Sequence, residues 1–183
     1  MPSSASPAKR RKKKPAGTAA DSRLGPSEKR MTPSGRNTAP LAAIVFGVLI
    51  VDQLSKHAIR SHYAFGQSRP VLPGVLHLTY HRNTGAAFGI FDGQNIALLG
   101  LSLLFILAMA VYLWRNGAGS FGAAFALILA GAIGNAVDRL RFGYVVDFID
   151  MRVWPIFNMA DSAITCGVFL VFFGVLRRRG KGR

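Results

Sequence analysis

The residues from Ile96 to Trp114 form an apolar run of 19 residues that contains no charge. A helix of that length is long enough to cross the hydrocarbon core of a bilayer. Three further stretches are predominantly apolar, at residues 41–59, 121–140 and 160–176. Within lipid, only helices and closed barrels satisfy every backbone polar group. The sequence therefore predicts an all-α membrane fold, a bundle of four transmembrane helices.

Charge is concentrated at the two ends of the chain. Of the 23 Lys and Arg residues, ten lie in residues 1–40 and five in residues 177–183. Residues 1–40 are rich in Pro, Ser, Ala and Lys and lack apolar periodicity, which predicts a disordered tail. Its run KRRKKK (Lys9–Lys14) is compatible with a nucleic-acid patch. Beside a first span, however, a cytoplasmic tail that contacts anionic membrane lipids is the better explanation, and we expect no nucleic-acid partner.

Basic residues also predict the orientation of the four-span domain, residues 41–176. The tail precedes the first span, Arg115 follows the second, and the basic C-terminus at 177–183 follows the fourth. The positive-inside rule is satisfied when all three are cytoplasmic. Residues 60–95 and 141–157 are then expected on the outer side of the membrane.

Acidic residues gather in one short part of the chain, since four of the eight lie within residues 134–161. Charged groups at membrane depth are costly and are usually functional. For Asp150, beside Met151 and Arg152, an ordinary interfacial charge is an equally good interpretation. In the first span, Asp52 and Lys56 are four residues apart and can form an ion pair on one helix face. The polar side chains that the topology brings to one membrane face are Asp52, Asn135, Asp138, Asp147, Asn158 and Asp161.

These residue types restrict the chemistry of the expected site. The sequence contains no HExxH or P-loop motif and no Cys/His cluster, so we expect neither a metal nor a cofactor. Ser55 beside Lys56 is a weak candidate for a nucleophile and base. Two aspartates held close together would share one proton, so one could act as acid and the other as base. The residues leave two classes open: an aspartyl hydrolase, and a small membrane transporter or proton relay.

The segment between the first two spans is too polar to cross a membrane. Residues 75–83 have the β-branched and aromatic content of a strand, and Pro70, Pro73 and Gly74 predict a turn before it. Residues 83–89 are small and mostly apolar, which suits close approach of the backbone to a ligand, although a simple turn fits the composition equally.

The chain contains five distinctive blocks, in this order: VDQLSK (Val51–Lys56), HRNTGAAFGI (His81–Ile90), GAIGNAVDRL (Gly131–Leu140), VVDFID (Val145–Asp150) and FNMADSAI (Phe157–Ile164). Together they closely resemble the lipoprotein signal peptidases, or signal peptidase II. The resemblance covers about residues 41–176 and implies a four-span bacterial inner-membrane enzyme with a small extracytoplasmic β-rich cradle. It also implies cleavage of lipid-modified prolipoproteins on the N-terminal side of the diacylglyceryl-modified cysteine.

Matched position by position, the resemblance implies that Asp147 and Asp161 are the catalytic pair. Asp138 competes with Asp147 for the first role, but its block resembles the family's supporting residues, and Arg139 lies beside it. The positions expected to line or brace the site are Asp52, Lys56, Asn83, Asn135, Asp138, Arg139 and Asn158.

Overall fold

A computed structural model describes residues 39–85, 93–116 and 119–181. Most of the tail at residues 1–40 lies outside this part of the chain, as does the segment 86–92 that follows Gly85. The described residues form four helices and three strands. In chain order these are α1 (Ala39–His62), β1 (Ser68–Leu72), β2 (Leu76–Asn83), α2 (Asn95–Asn116), α3 (Gly122–Phe142), β3 (Val145–Asp150) and α4 (Met159–Lys181).

Each helix contains a segment long and apolar enough to cross a membrane. The segments are Ala39–His62, Asn95–Arg115, Gly119–Phe142 and Met159–Arg179. Each of the four predicted spans lies within one of these segments, so the prediction of four apolar helices long enough to cross a membrane is confirmed. The first continues to His62, three residues beyond the predicted end at Ile59.

Helix α3 lies at the centre of the bundle and packs against α1, α2 and α4. Two glycines permit these close contacts. A Cβ atom on Gly131 would overlap the carbonyl oxygen of Ala160 in α4. A Cβ atom on Gly134 would lie 2.7 Å from Oδ2 of Asp52 in α1. Both glycines therefore permit close helix packing, and Gly134 in addition leaves room for a buried carboxylate.

The three strands form one antiparallel sheet in the order β1-β2-β3. Strand β2 occupies the stretch that the sequence predicts as a strand. One detail of the prediction was wrong, because Pro70 lies within β1 and not in a turn. Strand β1 is an exposed edge strand with an irregular register between Pro70 and Leu72, and proline is tolerated at such an edge. The turn itself includes Gly74, whose φ is 77°.

A small core attaches this sheet to the ends of the helices. It consists of Ile59 from α1, Tyr80 from β2, and Val146 and Phe148 from β3. Helix α3 ends at a left-handed Gly143, whose N–H donates to the carbonyl oxygen of Arg139. Only two residues separate α3 from β3, so the site residues of α3 and β3 are held close together.

Candidate active site

Asp147 lies in the middle of β3 and is 1% exposed. Val146 and Phe148 enter the core beneath the sheet, so strand alternation turns Asp147 to the opposite face. Its Oδ2 accepts a hydrogen bond from Nδ2 of Asn83 at 2.9 Å, and its Oδ1 accepts one from Nδ2 of Asn158 at 2.7 Å. Burial, reinforced by the nearby charge of Asp161, raises the pKa of Asp147 to about 7.

Asp161 lies in the first turn of α4, three residues after Asn158. The Asp161 N–H donates to Oδ1 of Asn158 at 2.9 Å, and Oδ2 of Asp161 accepts from the Asn158 N–H at 3.2 Å. This reciprocal pair is a capping box at the start of the helix. The helix N-terminus favours negative charge at that position, and the two hydrogen bonds orient the Asp161 carboxylate.

Two asparagine side chains join the two aspartates. Nδ2 of Asn135 donates to Oδ1 of Asp161 at 2.7 Å. Nδ2 of Asn158 donates to Asp147 and also to Oδ1 of Asn135, at 3.1 Å. Each of the four carboxylate oxygens of Asp147 and Asp161 thus accepts one N–H donor. All four donors are uncharged, so they fix the carboxylates in place without supplying a permanent counter-charge.

A buried ammonium group lies behind the asparagines. Nζ of Lys56 is 2.9 Å from Oδ2 of Asp52 and 3.0 Å from Oδ2 of Asp138. It also donates to Oδ1 of Asn135 at 3.0 Å. The predicted pairing of Asp52 with Lys56 is therefore confirmed, and the structure adds Asp138 as a second partner. Three acceptors satisfy the three N–H donors of the ammonium.

The two acids that flank Lys56 also hold the backbone beside the two aspartates of the site. Oδ1 of Asp52 accepts from the N–H of Ala160, the residue before Asp161, at 2.9 Å. Oδ2 of Asp138 accepts from the N–H of Val146, the residue before Asp147, at 3.1 Å. These contacts make Asp52 and Asp138 bracing groups, each directed at one aspartate of the site.

The sequence did not identify Gln53 as a partner of the two bracing groups, Asp52 and Asp138. Its Nε2 donates to Oδ2 of Asp52 at 3.1 Å and to Oδ1 of Asp138 at 3.2 Å. A polar amide beside Asp52 in an apolar helix was the available signal. Its partner in α3 lies 85 residues away, and no sequence spacing predicts such a contact.

Arg139 and Asn83 both contact Gly85, which follows β2 at the border of the site. Asn83 accepts from the N–H of Gly85 through Oδ1 at 3.0 Å while its Nδ2 holds Asp147. A terminal nitrogen of Arg139 donates to the carbonyl oxygen of Gly85 at 3.1 Å. The small segment at residues 83–89, which the sequence suggests for close approach to a ligand, lies beyond the described residues from Ala86 onward.

Two candidate groups lie apart from this centre. Asp150, at the end of β3, accepts hydrogen bonds from Thr79 and from the Arg152 N–H. Burial opposes its ionisation, but these bonds and the Arg152 charge outweigh that effect and lower its pKa. The hydroxyl of Ser55 donates to the carbonyl oxygen of Asp52 at 2.9 Å, which argues against the weak Ser55–Lys56 candidate.

Within residues 39–85, 93–116 and 119–181, no group of three or more His, Cys, Asp or Glu side chains could hold a metal ion. The arrangement instead offers two carboxylates of unlike environment. One is buried in the middle of a strand, while the other is partly buried at a helix N-terminus, where negative charge is favoured. Such a difference suits one group to hold a proton and the other to accept one.

Comparisons with known proteins identify the family. A family model described as "Signal peptidase (SPase) II" matches residues 44–177. The lipoprotein signal peptidase of Moorella thermoacetica is 42% identical over 144 residues, covering 78% of this chain and 96% of that protein. The lipoprotein signal peptidase of Syntrophomonas wolfei is 43% identical over 130 residues, covering 70% of this chain and 87% of the relative.

Solved structures show the same fold relationship. A bacterial membrane enzyme determined by the in meso method aligns with a TM-score of 0.74 at 36% identity, covering 79% of this chain and 92% of the other. A second such enzyme aligns with a TM-score of 0.68 at 38% identity, covering 75% of this chain and 93% of the other. With its four apolar helices, the chain is a multi-pass membrane protein. It belongs to the signal peptidase II family, a family of membrane aspartyl proteases.

Proposed function

We propose that this chain removes signal peptides from bacterial prolipoproteins, cleaving on the N-terminal side of a diacylglyceryl-modified cysteine. The observation that carries the proposal is the pair Asp147 and Asp161, one buried and one partly buried, with every carboxylate oxygen accepting an amide N–H. The relatives named lipoprotein signal peptidase support the same activity.

In the proposed reaction, Asp147 starts protonated and Asp161 starts ionised. Asp161 removes a proton from a water molecule whose oxygen attacks the scissile carbonyl carbon, while Asp147 gives its proton to the carbonyl oxygen. In the second step Asp161 passes its new proton to the amide nitrogen, and the C–N bond breaks. Asp147 recovers a proton from one hydroxyl of the intermediate, which restores the starting state.

The other site residues position this pair in the proposed mechanism. Asn83, Asn135 and Asn158 orient the two carboxylates directly. Asp52, Lys56 and Asp138 hold those asparagines and the neighbouring backbone and transfer no proton. Arg139 is proposed to brace the loop at Gly85.

The depth of the pair suits a lipid-modified substrate. Asp161 lies in the first turn of the fourth span, and Asp147 lies in a strand two residues beyond the end of α3. The acyl chains of a diacylglyceryl group remain in the bilayer, so the adjacent peptide bond lies near the headgroups. An aspartate pair at the ends of spans meets that bond at the same level.

The same contacts disfavour the transporter alternative. A conduit needs polar groups through the whole thickness of the membrane, whereas the described site residues lie toward one end of the spans. Family membership also favours the peptidase over a transporter or proton relay.

The decisive experiment is cleavage of a precursor peptide by the purified protein. We expect cleavage when the cysteine carries diacylglyceryl, and a rate lower by on the order of 100-fold or more when the same peptide lacks the lipid, because remote binding positions the scissile bond. Equal cleavage of both peptides would contradict the substrate assignment, and no cleavage of either would contradict the function.

We further propose that both termini are cytoplasmic and that the site faces the outside of the bacterial inner membrane. The four-span domain at 41–176 then has its sheet on the extracytoplasmic side, as the β-rich cradle. Support comes from the 15 Lys and Arg residues in 1–40 and 177–183, since such clusters are retained on the cytoplasmic side.

Labelling of single cysteines in intact cells tests this orientation. With Cys166 changed to Ser, a Val153→Cys variant should react with an impermeant maleimide, and a Ser120→Cys variant should react only after the cells are opened. Both positions are exposed on the surface of the chain, so accessibility in detergent serves as the control. The opposite labelling pattern would overturn the orientation.

A further inference from the structure

Three arginines and three aromatic rings form a continuous surface at the end of the bundle that carries the aspartate pair, and the buried ring of Tyr80 supports it from the core. We call it the arginine–aromatic cluster. The guanidinium of Arg60 lies 3.9 Å from the ring centroid of Phe142, and that of Arg141 lies 5.1 Å from the same ring. The cluster consists of Arg60, Arg82, Arg141, Phe65, Tyr80, Phe142 and Tyr144.

The rings connect the third arginine to the other two. The rings of Phe142 and Tyr144 lie 6.0 Å apart. Arg82 lies 5.0 Å from the centroid of Tyr144 and 5.0 Å from that of Phe65. Its Nε donates to the hydroxyl of Tyr80 at 3.1 Å. The rings thus fix the planes of the guanidinium groups and leave the terminal nitrogens of Arg82 for an outside acceptor.

No carboxylate neutralises this charge within the described residues. The ion pairs found there involve Lys56 and Arg152. Arg82 and Arg141 are exposed, and Arg60 is half-buried. Three fixed, unneutralised guanidinium groups on one surface form a favourable site for an anion, and the planar fork of arginine matches phosphate oxygens.

The position of the cluster identifies the anion. Arg60 lies in the last turn of α1 and Arg141 in the last turn of α3, and both helices are long enough to span the membrane. The ends of spans lie at the level of the lipid headgroups, where aromatic side chains are also favoured. Phosphate groups of lipids are the abundant anions at that depth.

We infer that the arginine–aromatic cluster binds the headgroups of anionic phospholipids and holds the aspartate-bearing end of the bundle at headgroup level. The assignment of that end to the outer leaflet depends on the proposed orientation, but the lipid contact itself does not. The bias toward cytoplasmic arginine does not explain these residues, because they lie at the end of the spans opposite to the start of α1 and the end of α4, which adjoin the basic segments in the sequence.

Lipid enrichment near the cluster tests the inference. The protein, with Cys166 changed to Ser, carries a fluorophore on an introduced Ala64→Cys, next to Phe65, and is placed in nanodiscs. Quenching is compared between phosphatidylglycerol and phosphatidylcholine that bear the same nitroxide near the top of one acyl chain. We expect stronger quenching by phosphatidylglycerol, corresponding to roughly fivefold enrichment per engaged arginine at low salt.

Matched variants separate charge from structure. The triple variant Arg60→Gln, Arg82→Gln, Arg141→Gln should lose the enrichment at residue 64, and the corresponding triple lysine variant should retain most of it. A fluorophore on Ser120→Cys, at the other end of the bundle, should report the same quenching in all three proteins. Thermal unfolding in detergent identifies any variant that does not fold. The lysine variant, which keeps the charge but changes the same three positions, is compared with the unmodified protein as the control for structure.

Two outcomes would overturn the inference. One is equal quenching by the two lipids at residue 64 of the unmodified cluster, and the other is enrichment that persists in the glutamine variant. A different result would point to another ligand. If the glutamine variant shows unchanged lipid quenching, and its KM is higher only for substrates with acidic residues after the cysteine, the cluster binds substrate peptide and not lipid. The quenching measurement involves no cleavage, so it can fail or succeed independently of the peptidase activity.

Discussion

Asp147→Asn and Asp161→Asn should each lower kcat for a lipidated precursor peptide by on the order of 10²–10⁴-fold or more, the usual range for loss of a general acid or base. The amide keeps the shape of the carboxylate but removes its titratable proton. Both variants should fold, because Asp147 and Asp161 accept hydrogen bonds only from uncharged donors. Single-turnover cleavage and substrate binding, measured separately, check the result.

Asp138→Asn is the matched control, because it removes a third carboxylate of the same region. Asp138 bonds to Lys56, Gln53 and the Val146 N–H, so we expect a partial loss of activity together with a loss of thermal stability. If Asp138→Asn is inactive while Asp147→Asn retains substantial turnover, the assignment of Asp147 is wrong. If both Asp147→Asn and Asp161→Asn remain active, the aspartyl mechanism fails for this chain.

The pH dependence of cleavage follows from the same pair. Burial and the charge of Asp161 raise the pKa of Asp147 to about 7, and the proposed reaction needs Asp147 protonated. Activity should therefore fall as pH rises through about 7, when that proton is lost. It should also fall at low pH, when Asp161 becomes protonated and cannot accept a proton from water. The two limbs of the bell belong to the coupled pair.

The sequence predicts the four apolar helices well, because a helix that can span a membrane requires only one continuous apolar stretch of the chain. Nineteen uncharged residues from Ile96 to Trp114 are sufficient to predict a spanning helix. The pairing of Asp52 with Lys56 was equally predictable, since a spacing of four residues places both side chains on one helix face. Identification of Asp147 and Asp161 as the candidate pair came from the resemblance to a family and not from spacing.

Contacts between distant segments could not be predicted in the same way. The N–H of Ala160 meets Asp52 across 108 residues, and the amide of Gln53 meets Asp138 across 85. Neither contact has a local pattern, because both depend on how α1, α3 and α4 pack. The edge strand β1 was missed for a different reason. Pro70, with Pro73 and Gly74 after it, favours a turn by composition, and only pairing with β2 makes the segment a strand.

The largest effect on stability should come from Lys56→Met. Methionine has a similar length but no charge, so the substitution leaves Asp52 and Asp138 buried beside each other without their shared cation. Breaking a buried ion pair by removing one partner costs about 3–5 kcal/mol. We expect a smaller yield of monodisperse protein, a clearly lower unfolding temperature in detergent, and little or no cleavage. Asp52→Ala should also lose folded protein, because it additionally leaves the Ala160 N–H without its acceptor.

A second substitution distinguishes bracing from catalysis. In Lys56→Met combined with Asp52→Asn, one of the two stranded charges is removed, while the asparagine oxygen can still accept from the Ala160 N–H. Because the two positions are in contact, their effects should not add, and the double variant should unfold at a higher temperature than Lys56→Met alone. Cleavage should recover in part, together with stability, if the main effect of losing Lys56 is the uncompensated charge of the two carboxylates. A Lys56→Met protein that unfolds at the wild-type temperature yet does not cleave would instead place Lys56 among the groups that take part in the reaction.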